Sequence, residues 1–310
     1  HMFQTAEVQD DDDDDDQGEA ARLTAEDEKA IAKVARAAVA RAGGPPGKKQ
    51  HVLKWARQAY VVHKKREARA VDVASNLLAF RLRYGWPLQL EAKPLEAALR
   101  SGMHWILPGR DNLGRRVIVY RAAALEPRPP QPLAALQQMM CLLLERVSAD
   151  DATLTKGLVF IVDLQGASPA TLRHFDLNDI KRGMDLVKNA FPLRLKNIFV
   201  LRLPRLLTPA SFVVKSFLPA KVKRRLHTSR GGAADCPALL ADLPASMIPT
   251  ALGGTNKAFD WDAVVDRLLL AGPRDPADSW LSPTTRTPKP MPKLVAPKPP
   301  RPVERQRWRS

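Results

Sequence analysis

The residues best placed to do chemistry in this sequence are cations. From Val213 to His227 the chain reads VVKSFLPAKVKRRLH, which sets Val213, Val214, Phe217, Leu218 and Val222 beside Lys215, Lys221, Lys223, Arg224 and Arg225. No Asp or Glu occurs from Ala190 until Asp235. Ordinary soluble surfaces intersperse both signs, so this stretch reads as a face for an anionic partner, either phospholipid headgroups or nucleic acid. Placed on one helix, Lys221 and Arg225 are four apart and share a side. Arg194 and Lys196 flank Leu195 in FPLRLK and, at the entrance of a strand, point the same way. Four such cations near an anionic membrane, at ~1 kcal/mol each, amount to ~4 kcal/mol, close to a thousandfold in partitioning.

Bond-making chemistry finds no comparable constellation. The sequence has no Walker loop, no GxGxxG after a strand, no GxSxG and no HExxH. Its six histidines show no ligand spacing, and Cys141 and Cys236 make neither a CxxC nor a Cys/His cluster. A reducing compartment and no structural zinc are expected. His104 lies in an apolar stretch and reads as structural. Asp163 closes the run GLVFIVD with no second carboxylate or base beside it, so a cap or loop hydrogen bond is expected of it rather than proton transfer. An enzyme, a metal and a cofactor are therefore not expected.

The helices and strands that carry these residues follow from composition and period. The 310 residues are 45% hydrophobic and 26% charged, with net charge +16. That balance suits one large domain, or a small one with a large one. The first twenty residues hold nine acids, including the block Asp10–Asp16, and no Lys or Arg, so the remainder carries about +25. The opening His-Met reads as an expression scar, and residues 1–21 as an acidic disordered tail. No apolar run approaches the ~20 residues that cross a bilayer. Thr24 followed by Glu26, Asp27 and Glu28 predicts a helix start, with the helix running to Gly43. Further helices are predicted over His51–Val62 and Lys64–Gly85, making a small helical unit over 22–90. Beyond it, Pro94–Ser101 is helical, and Met103–Leu107 with Val117–Tyr120 read as a hairpin around GRDNLG. Leu133–Val147 is a helix, Gly157–Val162 a strand covered on both faces, Asp176–Ala190 a helix, Asn197–Leu203 a strand and Trp261–Leu270 a helix. Strands alternating with helices imply an α/β layer with a mostly parallel sheet over 91–272. From Leu281 to Ser310 there are eight prolines, and eight Lys or Arg against one Glu, so 273–310 reads as an extended basic tail.

The order GMHWILPGRDNLGRRVIVYR, GLVFIVDLQG, FPLRLKNIFVLRLP, VVKSFLPAKVKRRLH and ALGG resembles the CRAL-TRIO lipid-transfer domain family over about residues 50–270, most nearly its tocopherol and retinaldehyde carriers. The resemblance implies an apolar lipid cavity closed by a gate helix. In this sequence the gate falls at about Leu206–Leu218, where Thr208 and Pro209 make a helix start and Leu206, Leu207, Phe212, Val213 and Phe217 give an apolar side. It further implies a lining that includes Phe160, Val162, Leu186, Val187, Phe191, Leu193 and Ile198. It places a phosphoinositide-binding cleft at Arg194, Lys196, Lys221 and Arg225, with Lys215 nearby. A lipid burying roughly 500 Å² of apolar surface gains up to ~12 kcal/mol, much of it offset by the cost of binding.

Departures from the family pattern also carry meaning. Leu193 stands where phosphatidylinositol carriers place Glu, which argues against that lipid inside the cavity. Arg202 replaces the usual Asn before the x-Pro step. Ala167 is small where the tocopherol carrier has a bulky aromatic. Lys54 and Arg57 keep part of a basic motif, but Ala59 stands where Arg is common. The expectation is a monomeric, cytoplasmic, transiently membrane-associated carrier of a hydrophobic small-molecule lipid, docking on phosphoinositide membranes without catalysis. The alternatives are a basic nucleic-acid-binding protein or a Pro-rich scaffold. Against nucleic acid, no recognised motif is present and the cations flank apolar rather than aromatic residues.

Overall fold

Helix α1 (Ala25–Arg41) starts where the sequence predicts. The Asp27 amide donates to Thr24 Oγ1 at 3.2 Å and the Thr24 amide donates to Asp27 Oδ2 at 2.8 Å, a reciprocal capping box at the positive end of the helix dipole. Helices α2 (Lys49–Val62) and α3 (Glu67–Arg83) pack against it around Ile31, Val34, Val52, Trp55, Val73, Leu77 and Leu78, all buried. The third helix, predicted from Lys64, begins at Glu67 instead. Lys64 and Lys65 have φ of +53° and +64°, a left-handed turn that a helix cannot continue through. Asp27 braces that turn by accepting from Lys65 Nζ at 2.8 Å and from the Tyr60 hydroxyl at 3.1 Å. The structure is a computed structural model, and it describes residues 23–44, 49–125, 131–168, 186, 191–208, 220–272, 275 and 277–281.

After α4 (Glu96–Arg100), β1 (His104–Arg110) and β2 (Arg116–Arg121) form the expected antiparallel hairpin. Asp111 organises its turn, accepting the Leu113 amide at 3.0 Å and the Arg115 amide at 2.7 Å. Next come α5 (Leu133–Val147) and α6 (Asp151–Lys156), followed by β3 (Leu158–Asp163) and β4 (Leu195–Leu201). The described chain then adds α7 (Ala220–Arg224), β5 (Leu226–Thr228), α8 (Pro237–Asp242), α9 (Trp261–Leu270) and α10 (Ala277–Leu281). The five strands lie in the order β1-β2-β3-β4-β5, and every pair after the hairpin is parallel. The mixed α/β class with a mostly parallel sheet is therefore present. The bundle is tied to the sheet layer by the buried ion pair of Arg81 with Glu145. Gln58 Nε2, donating to the Ser148 carbonyl at 2.9 Å, makes a second tie. No described helix is long and apolar enough to cross a membrane.

Two predicted boundaries move. The strand expected to reach Leu203 ends at Leu201, because Arg202 takes a left-handed φ of +53°. The helix expected to carry both Lys221 and Arg225 ends at Arg224. The Arg225 carbonyl instead accepts the Ile198 amide at 2.9 Å, which opens the unpredicted strand β5. The helix predicted over 176–190, apart from Leu186, and the gate segment from 209 to 219 lie outside the described residues, as do both terminal tails.

Candidate functional site

The apolar residues on one side of the sheet are sealed; on the other, Ile118 and Leu158 are sealed as well, but six of their neighbours are only half-buried. Val117, Val119, Val159, Ile161, Phe199 and Leu201 share one side and are all fully buried. On the opposite side, Phe160 pairs with Ile198 and Val162 with Val200, and all four are only half-buried. Tyr120 beside Val162 and Leu226 beside Ile198 extend this side across β2 and β5, again half-buried. Parallel strands are normally covered on both faces. Apolar residues left half-buried in mid-sheet are what a hydrophobic guest would need. Of the other expected lining residues, Leu186 and Phe191 are buried and Leu193 is half-buried. Leu207 is buried whereas its neighbour Leu206 is 77% exposed, both in a single 3-10 turn, Arg205–Leu207, that precedes Thr208. Val187, Phe212, Val213 and Phe217 lie outside the described residues. Val200 and Tyr120 were not singled out in the sequence, although strand alternation places them on this face.

The cations gather where the parallel strands begin. Lys156 precedes β3, Arg194 precedes β4 with Lys196 inside it, and Lys223, Arg224 and Arg225 precede β5. Two of these guanidiniums also hold backbone in place. Arg194 donates from Nε to the Val62 carbonyl at 2.9 Å, from Nη2 to the same oxygen at 2.7 Å and from Nη1 to the Thr155 carbonyl at 3.2 Å. Arg225 Nη1 donates to the Leu195 carbonyl at 2.9 Å. These two arginines therefore fix the edge as well as charge it. Gly157, at φ +89°, makes the corner: a Cβ there would strike the Arg194 carbonyl and sit 3.0 Å from Lys196 Cγ. Lys223 and Arg224 are exposed and Lys196 is half-buried, while Lys215 and the side chain of Lys221 are outside the described residues. Arg57, from the partly matched basic motif, is committed elsewhere. It makes a two-pronged pair with Asp151 at 2.9 and 3.1 Å, linking α2 to α6.

At the other ends of the strands stands a neutralised pair. Asp163, 1% exposed, accepts from Arg202 Nε at 2.8 Å and Nη2 at 3.0 Å, and from the Gln165 amide at 3.1 Å. Arg202 Nη2 also donates to the Ala251 carbonyl at 2.6 Å. All the charge of Asp163 is thus spent on structure, as the sequence suggested. Left-handed backbone suits Asn far better than Arg, which accounts for the residue that the resemblance leads one to expect at Arg202. His104 is buried, with its ring 5.4 Å from that of Tyr120 and no partner for Nδ1. Burial pushes its pKa down to about 4 and that of Tyr120 up to about 12. Among the described residues no group of three or more His, Cys, Asp or Glu could hold a metal ion.

The family model of the CRAL/TRIO domain matches residues 100–254, half of the chain. The chain belongs to the CRAL/TRIO domain family. That family is one of lipid binding and transfer. Its relatives include the human alpha-tocopherol transfer protein-like protein, 29% identical over 191 residues, which are 59% of this chain and 54% of that one. The mouse protein of the same description is 29% identical over 201 residues, 62% and 56% of the two chains. Human tyrosine-protein phosphatase non-receptor type 9 is 29% identical over 170 residues, 55% of this chain but only 27% of the phosphatase. The chain thus spans about half the length of the first relatives it matches. Among solved structures, the crystal structure of Sfh5 aligns with a TM-score of 0.48 at 11% identity, covering 78% of this chain and 91% of that one.

Proposed function

We propose that this CRAL/TRIO chain carries one hydrophobic lipid against the open face of its sheet and exchanges it at anionic, phosphoinositide-containing membranes through the basic strand-entry edge. No bond is made or broken. The observation that carries the reading is the half-buried apolar group Phe160, Val162, Ile198 and Val200, opposite apolar residues that are all fully buried. The cations at the entries to β3, β4 and β5 stand one to four residues from that face along each strand, so a lipid leaving it would pass close to headgroups held at the edge. Tocopherol-like, retinoid, terpenoid, sterol and phospholipid cargoes share the necessary apolar bulk.

Native mass spectrometry of the purified protein, followed by solvent extraction, should reveal a non-covalent hydrophobic guest at one per chain. A protein that stays empty when offered these lipid classes would overturn the carrier reading. Docking is tested separately by replacing Lys196 and Lys221 with Ala and leaving Arg194 and Arg225, which hold backbone carbonyls. Losing two cations at ~1 kcal/mol each should weaken binding to phosphoinositide vesicles roughly thirtyfold, with cargo affinity nearly unchanged. Unchanged vesicle binding would mean that the edge is not the docking surface.

A further inference from the structure

A second cationic group adjoins that edge. Lys64, Lys65 and Arg66, in the turn between α2 and α3, are all exposed. The turn touches the edge directly, because Arg194 donates to the carbonyl of Val62, two residues before Lys64. His63, next in the chain to the Val62 carbonyl that Arg194 holds, has its pKa lowered to about 4, first by burial and then by the charges of Arg69, Arg194 and Arg66. The nearby acids are largely engaged. Glu67 pairs with Lys33 at 2.7 Å, Asp72 with Arg41, and Asp27 with Lys65 at 2.8 Å, while Glu26 and Glu28 stay exposed at the start of α1.

The chain that leads to the most acidic stretch of the molecule leaves from this same place. Thr24 and Asp27 form the capping box of α1, and Asp27 holds Lys65. Between Leu23 and Asp16 lie seven peptide steps, which span at most about 25 Å. The block Asp10–Asp16 is therefore tethered within reach of the turn, at an effective concentration on the order of millimolar.

We infer that Asp10–Asp16 cover the Lys64–Arg66 turn and the adjoining strand-entry edge, competing there with anionic membrane. The competition rests on the docking reading above, whereas the contact itself does not. Both are tested with the full chain. A zero-length carbodiimide crosslink followed by peptide mapping should join the aspartate block to Lys64 or Lys65 within one molecule, and fade above about 0.5 M salt. Links spread evenly over remote lysines such as Lys93 and Lys257 would overturn the contact.

Replacing the seven aspartates with Asn should then tighten binding to phosphoinositide vesicles about tenfold at low salt, a difference that closes at high salt. Equal binding of the two proteins would overturn the competition. In a Lys64→Gln, Arg66→Gln background the same replacement should change vesicle binding little, and a full tenfold effect there would exclude the turn as the seat of the tail. If no form binds vesicles, docking and competition fall together, and the crosslink alone still decides whether the tail sits on the turn.

Discussion

His104 shows what one buried ring does to the whole fold's response to acid. Its ordinary pKa of 6.5 falls to about 4 because burial disfavours the charged ring. The unfolded chain takes up a proton near pH 6.5 that the folded chain refuses until about 4. Stability is therefore full above pH 6.5 and is lost as pH falls towards 4, by about 3 kcal/mol for this residue. His63, lowered to about 4 by burial and neighbouring cations, acts in the same direction. Denaturant unfolding measured from pH 7 to 4 should show this decline, and His104→Phe should flatten much of it. A variant with the unaltered slope would remove His104 from the account. Asp163 was legible as structural because no second acid or base stands near it in the sequence. Its partner Arg202 was not, since the pair joins the ends of two strands 39 residues apart.

At the scale of elements, strand alternation decides what the sheet can hold. Phe160 and Val162 alternate with Val159 and Ile161 along β3, and only the second pair is sealed. If the accessible side lines a cavity, Val162→Phe should fill space rather than strain a packed core. The expected result is a change in unfolding free energy under about 1 kcal/mol together with a clear loss of cargo occupancy. Overpacking a sealed core typically costs about 1–3 kcal/mol, and a loss of that size with occupancy intact would place Val162 in solid core. Helices were the most readable elements: α5 and α9 occupy the predicted Leu133–Val147 and Trp261–Leu270. Strand β5 was missed because three residues are too few to show a period, and because LHT follows directly on a cationic stretch that suits a helix. The late start of α3 was missed for a backbone reason. Two consecutive lysines at positive φ carry no compositional signal of the kind glycine gives.

Across the whole molecule, the bundle and the sheet layer are locked by a charge placed where water cannot reach it. Arg81 is fully buried. It pairs with Glu145, donates to the Pro87 carbonyl at 2.8 Å and lies 5.6 and 5.9 Å from the rings of Trp55 and Trp86. Removing one partner strands the other, so Glu145→Gln should cost about 3–5 kcal/mol. Replacing both, as Arg81→Met with Glu145→Leu, should recover most of that loss. Calorimetric or denaturant unfolding checks both, and a single variant as stable as the parent would show that the pair does not lock the two layers.

The class of fold, the order of most elements and the acid-free cationic stretch could be read from residue order alone, because local period, caps and charge runs are properties of neighbouring residues. Packing settled which apolar residues of the sheet stay half-buried, that Arg194 and Arg225 hold backbone carbonyls, and that the turn at Lys64–Arg66 meets the strand entries. Those relations join residues far apart in the chain. Each depends on which partner lies within hydrogen-bonding reach once the chain has packed, and spacing along the sequence does not encode that.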